Sequence, residues 1–117
     1  MINKKHRSDR MEGELQKVLA EIVRDDLKDP RLEMVTFTSV KVSKDLSFAK
    51  IFVSHLKEDR LNDALVVLNK AKGLIRKGIG RKMNLRIVPE IAFFIDDSLS
   101  YSQKINEILK EIKTKEE

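Results

Sequence analysis

Met11, Leu15, Val18, Leu19, Ile22, Val23 and Leu27 recur at spacings of three and four. That periodicity predicts an amphipathic helix over residues 9–28. Asp9 and Glu12 fit an N-cap and its capping-box partner at the start. Asp29-Pro30 ends the helix, because proline disfavours helical angles in the residue before it. Val35–Val42 and Phe48–His55 are rich in Val, Phe and Thr and read as two strands. The short polar link Ser43-Lys44-Asp45-Leu46 makes them a hairpin. Ala49, Ile51 and Val53 alternate onto one face of the second strand, and Phe48 and Phe52 point the other way.

A second helical pattern follows Lys57-Glu58-Asp59. At about 100° per residue, Leu61, Ala64, Leu65, Leu68, Ile75, Ile79 and Met83 share a face. A straight helix places Lys72 within roughly 20° of Leu61, inside that apolar stripe, and a buried unpaired lysine is costly. Gly73 beside it weakens a helix interior by about 1 kcal/mol relative to alanine. Both problems vanish if the helix kinks at Ala71-Lys72-Gly73 and turns Lys72 into solvent. Leu68, Ile75 and Ile79 are then expected inside and Lys70, Lys77 and Arg81 outside. Gly78 and Gly80 are expected to loosen the helix end, with Gly80 a candidate C-cap.

Leu85–Ile95 reads as a third strand, in which Pro89 implies an edge position or a bulge. Asp96-Asp97-Ser98 stops it and can cap a last helix carrying Tyr101, Ile105, Ile108, Leu109 and Ile112. The order α-β-β-α(kink)α-β-α predicts an α+β domain, a three-stranded sheet covered by helices on one face.

At 117 residues the chain suits a single domain, 1–117. A flexible basic N-terminus (about 1–8) and a charged tail (about 113–117) are expected at its ends. No cysteine is present, which excludes disulfides and thiolate metal sites. No apolar run approaches the length of a membrane span, and the basic start has no apolar segment behind it, so it is not a signal peptide.

Charge changes the picture most. Between Ala64 and Pro89 lie seven basic residues and no acid: Lys70, Lys72, Arg76, Lys77, Arg81, Lys82 and Arg86. The whole chain is only +5, so the remainder is net negative. A solvated helix face normally interleaves acids, as Lys110-Glu111-Ile112-Lys113 does. An acid-free basic face on a broken helix points to a site that reads a nucleic-acid backbone. Lys4, Lys5, Arg7 and Arg10 are candidates for an additional basic arm. Arg31 is a weaker one, since it can equally pair with an acid. With few exposed aromatics expected, recognition should rest on shape and charge rather than base stacking.

Catalytic signals are poor. His6 and His55 have no partner identifiable by spacing, and Asp25-Asp26 and Asp96-Asp97 fit solvated or capping roles. There is no phosphate-binding Gly loop, HExxH or nucleophile elbow. No metal or cofactor is expected. A protein–protein adaptor using the hairpin edge, and a small nuclease or RNA-modifying enzyme, are the competing classes.

In KH domains a GxxG loop joins two helices and clamps a nucleic-acid backbone, and Ala71-Lys72-Gly73 sits where that loop would be. The chain resembles the ribosome-binding factor A family in Lys28-Asp29-Pro30-Arg31, Val42-Ser43-Lys44-Asp45-Leu46, Ala49-Lys50-Ile51-Phe52-Val53, Lys72-Gly73-Leu74-Ile75-Arg76 and Leu85-Arg86-Ile87-Val88-Pro89-Glu90-Ile91. The resemblance implies a type II KH-like fold with an Ala-x-Gly kink in place of GxxG. It implies a non-enzymatic, cytoplasmic factor that binds the immature small ribosomal subunit near the 5′-terminal helix and neck of its rRNA. Help with rRNA processing late in assembly and a link to growth in the cold follow from the same resemblance. A monomer is expected, with no membrane and no small-molecule substrate.

Overall fold

The computed structural model describes residues 7–96. The expected last helix, the C-terminal tail, Lys4, Lys5 and His6 lie outside the described residues. Helix α1 spans Arg7–Glu21 and continues into a single π-helical turn, Ile22–Leu27. Lys28 ends that turn in a left-handed conformation, its N–H bonded to the Val23 carbonyl at 3.1 Å. The predicted 9–28 helix is therefore two pieces of different winding. Its start also differs: Asp9 lies within the first turn rather than at the cap. Glu12 accepts the Val42 N–H at 2.8 Å, a partner thirty residues away that no local capping rule foresees. Asp29 caps a 3₁₀ turn, Pro30–Leu32, by accepting the Arg31 N–H at 2.9 Å. The Arg31 guanidinium grips the same carboxylate at 2.7 Å, and that contact is the largest reason Asp29 is held below the usual carboxylate range.

The hairpin forms where alternation places it: β1 is Val35–Val42 and β2 is Phe48–His55, antiparallel. A bulge interrupts β1 between Phe37 and Ser39, and Gln16 of α1 donates to the Phe37 carbonyl there at 2.6 Å. Glu12 and Gln16 thus bond the outer edge of β1, the edge that faces away from β2. Asp45 organises the turn. Its Oδ1 accepts the Ser47 hydroxyl at 2.7 Å, the Ser43 hydroxyl at 2.7 Å and the Ser47 N–H at 3.1 Å.

After a 3₁₀ turn at Glu58–Arg60, α2 runs Leu61–Lys70 and α3 runs Lys72–Lys82, separated by Ala71 alone. Strand β3, Glu90–Ile95, lies parallel to β2 on its free side, giving the order β1-β2-β3. The strand starts later than the expected Leu85. Pro89 carries no N–H for a ladder, and Arg76 takes the carbonyls of Val88 and Pro89 at 2.8 and 3.0 Å, so the chain before Glu90 is tied to α3 instead. The edge position that Pro89 implied does hold for β3.

One sheet face is buried. Val40, Val42, Ala49, Ile51, Val53, Ile91 and Phe93 meet Leu15, Leu19 and Ile22 from α1, Leu68 from α2, and Ile75 and Ile79 from α3. Each such aliphatic side chain removed from water contributes about 1.5–3 kcal/mol. The glycines of α3 do not loosen it. A Cβ on Gly78 would stand 2.9 Å from Ile22 Cδ1, and one on Gly80 would stand 3.0 Å from Val88 Cγ2, so both admit close neighbours. Nor is Gly80 the cap: the helix runs on to Lys82, Asn84 takes the left-handed position, and the Leu85 N–H closes back on the Gly80 carbonyl at 2.9 Å.

Two predictions follow from this packing. Ile75→Ala, at a fully buried position, should lower unfolding free energy by about 2–5 kcal/mol in denaturant titrations. The Asp45 carboxyl is lowered from 3.8 to about 2, first by the Ser47 hydroxyl and then by that of Ser43. A depressed acid lends stability above its unfolded pKa and loses it as pH falls through the folded one. The Ser47 amide resonance should therefore titrate with a midpoint near pH 2, and the hairpin turn should loosen between pH 4 and 2. Asp45→Asn should abolish that dependence.

Candidate nucleic-acid interface

The basic stretch is carried by α2, the break and α3. Ala71 adopts φ −90° and ψ 6°, outside the helical well, and the helical ladder breaks there. The Ala71 N–H still reaches the Val67 carbonyl at 3.0 Å, and the Ile75 N–H returns to the Ala71 carbonyl at 2.9 Å. The reason lies in burial. Leu61, Ala64 and Leu68 of α2 and Ile75 and Ile79 of α3 all sit in the core, and the break lets both helices reach it without drawing Lys72 in after them. Lys72 is half-buried rather than fully solvated, a modest departure from expectation. A lysine stem can lie along apolar surface at such a depth.

The start of α3 is electropositive for two reasons. The first N–H groups of any helix have no acceptor within it, and the macrodipole puts partial positive charge there. No acid lies in the first turn and no side chain caps it. Lys72 is itself the first residue of the helix. Gly73 next to it is exposed, and a Cβ there would meet nothing within 4 Å. Its φ is not positive, so neither backbone strain nor internal packing explains the glycine. Val66 and Leu74, 53% and 64% exposed, add apolar surface on either side of the break.

The seven basic side chains have different surroundings. Lys70, Lys77 and Arg86 are exposed, and none of them joins an ion pair among the described residues. Arg81 is exposed but bonds Asp26 of the π-helical turn at 3.1 Å, and Lys82 approaches Glu21 at 3.9 Å. Arg76 turns inward to the Val88 and Pro89 carbonyls, with Glu90 3.6 Å away. Arg7 and Arg10 are exposed at the opposite end of α1 from Glu21 and Ile22, roughly 18 Å along the helix axis by its rise per residue. The structure therefore groups Lys70, Lys72 and Lys77 around Ala71 and Gly73, anchors Arg76, Arg81 and Lys82 to neighbours, and sets Arg7 and Arg10 apart.

The other chemical candidates have local partners. Asp25 pairs with Arg24 at 2.8 Å, and the His55 ring accepts the Lys57 N–H at 2.9 Å. Among the described residues no three His, Asp or Glu side chains converge as metal ligands, and no helix is long and apolar enough to cross a membrane.

The family model described as ribosome-binding factor A matches residues 7–109. This chain belongs to the ribosome-binding factor A family. A ribosome-binding factor A from Desulforamulus reducens is 44% identical over 112 residues, covering 95% of this chain and 93% of its own length. The crystal structure of ribosome-binding factor A from Thermus thermophilus superimposes with a TM-score of 0.67 at 30% identity, covering 75% of this chain and 94% of that one. Thermus thermophilus coordinates fitted into a cryo-EM map of a 30S–RbfA complex match with a TM-score of 0.66 at 29% identity, over 80% of this chain and 97% of that one. The fold that these ribosome-binding factor A proteins share is KH-like.

Gly73 and Gly78 of α3 should respond oppositely to alanine. Gly73→Ala adds a methyl to open space and should raise stability by up to about 1 kcal/mol through helix propensity. Gly78→Ala must displace the buried Ile22 side chain at about 1–3 kcal/mol, only partly offset by about 1 kcal/mol of helix propensity. Thermal unfolding of the pair should move the midpoint up for the first and down for the second.

Proposed function

We propose that this protein binds the small ribosomal subunit through the face formed by Lys70, Ala71, Lys72, Gly73 and Lys77, as a non-enzymatic assembly factor. The observation that carries the reading is the start of α3. A helix start with no side-chain cap, a lysine at the first position, no acid and a glycine without internal purpose are what a phosphate backbone at close range requires. Glycine at position 73 keeps the path to the first-turn N–H groups clear. Arg86 extends the positive field, and Arg81 and Lys82 contribute while holding α3 to α1. Arg7 and Arg10, with Lys4 and Lys5, form a separate basic arm that reaches a second stretch of RNA.

Support comes from kinship. The Thermus thermophilus relative was fitted into a map of a complex with the 30S subunit, and the relatives share the same KH-like fold. On this reading the contacted RNA is 16S-type rRNA around the 5′-terminal helix and neck, the moment is late maturation and rRNA processing, and the protein acts in the cytoplasm as a monomer without a cofactor.

Salt dependence tests it. Affinity for small-subunit precursors should fall with a slope of log K against log salt of about −3 to −6 if four to seven phosphates are engaged. Lys70→Gln with Lys77→Gln should flatten the slope by about one to two units while leaving the unfolding midpoint nearly unchanged. Gly73→Ala should bind more weakly although it is more stable. A flat slope, or parental binding by both variants, would remove this face from the interface.

A further inference from the structure

The sheet face turned away from the helices is not an ordinary solvated surface. Phe48, Lys50 and Phe52 project from β2 onto that side, with Lys41 from β1 and Glu90, Ala92 and Phe94 from β3. The parallel register of β2 and β3 sets Phe52 directly beside Phe94, their ring centroids 5.8 Å apart. Phe48 and Phe94 are 37% and 41% exposed. Three of the five phenylalanines thus share one open face.

Its charge is equally unusual. Lys41 and Lys50 stand directly opposite each other in the ladder, an arrangement that is destabilising in the free protein. Among the described residues neither forms an ion pair. Lys50 Nζ lies 5.9 Å from the centre of the Phe94 ring. The one acid on these rows, Glu90, lies 3.6 Å from Arg76. Ser39, Ser54 and Thr36 complete the surface with side chains that can donate hydrogen bonds.

The geometry points to a second nucleic-acid surface, a platform for single-stranded RNA whose unstacked bases lie on Phe52, Phe94 and Phe48 while Lys41 and Lys50 meet the phosphates. Phe48 and Phe52 are four residues apart, about 13 Å along the strand, and the lysine row lies between them. Aromatic faces accept any base, and flanking cations hold the backbone. A protein partner would use the aromatics equally well but would gain nothing from two opposed lysines unless it were acidic. The platform goes beyond the function proposed above, because it stands on a different face and its ligand is unpaired RNA rather than a backbone at the start of α3.

The test uses the full chain and an octauridine carrying one 5-iodouridine. Photocrosslinks should map to Phe48, Phe52 or Phe94. Phe52→Leu with Phe94→Leu keeps the face apolar and should weaken octauridine binding about 5- to 100-fold at an unchanged salt slope. Lys41→Gln with Lys50→Gln should instead flatten the slope by about one unit and raise, not lower, the unfolding midpoint, which shows that the fold is intact. Lys70→Gln with Lys77→Gln should leave the sheet crosslinks in place, so failure of the helix-face reading and failure of this one are distinguishable. Crosslinks confined to α2 and α3, parental affinity in the leucine double variant, or a dimer in sedimentation that this variant dissolves would overturn the platform, the last by reassigning the face to a second copy of the chain.

Discussion

The break at Ala71 is the constraint on which the rest of the molecule depends. Two helical segments must bury Leu61, Ala64 and Leu68 on one side and Ile75 and Ile79 on the other against the same sheet. A continuous helix would satisfy that only by placing Lys72 in the centre of the stripe. Desolvating an unpaired ammonium costs more than losing a helical hydrogen bond or two, so the ladder yields. The consequence reaches the proposed interface. A new helix N-terminus appears in the middle of the basic stretch, with Lys72 and Gly73 as its first two residues.

Anchoring of α3 depends on contacts that bracket the break at a distance. Gly78 lets Ile22 of the π-helical turn approach, Arg81 bonds Asp26, and Arg76 holds the carbonyls of Val88 and Pro89. These contacts fix the axis of α3 relative to α1 and β3, and therefore where its N-terminus points. They also divide the labour among basic residues that look alike in sequence. Arg76, Arg81 and Lys82 hold the helix, and Lys70, Lys72 and Lys77 remain around the kink.

Much of this was legible in the chain. Val, Phe and Thr content placed both hairpin strands to the residue, and the alternation of Ala49, Ile51 and Val53 set the buried face of β2, whereas the bulge at Thr38 in β1 was not visible. Helical spacing together with the misplaced Lys72 gave the kink. What was hidden is long-range. Spacing makes Glu12 a local capping partner, but it bonds Val42 across thirty residues. Arg76 belongs to the acid-free basic stretch, and its bonds to the Val88 and Pro89 carbonyls depend on how the chain before Glu90 returns to α3. Five phenylalanines in 117 residues give little sign of an aromatic surface. Their convergence depends on the parallel register of Phe52 with Phe94, which no local pattern reveals.

The absence of cysteine allows a direct test of the central claim, that the face around the kink lies against small-subunit rRNA. Lys77→Cys gives a single attachment point for tethered iron on exposed α3, and Glu14→Cys gives one on exposed α1. Hydroxyl-radical cleavage of rRNA in bound small-subunit precursors should arise strongly from position 77, and any cleavage from position 14, one turn from Arg10, should fall on a different stretch of rRNA. Strong cleavage from position 14 with none from position 77 would contradict the account and remove the face around the kink from the rRNA.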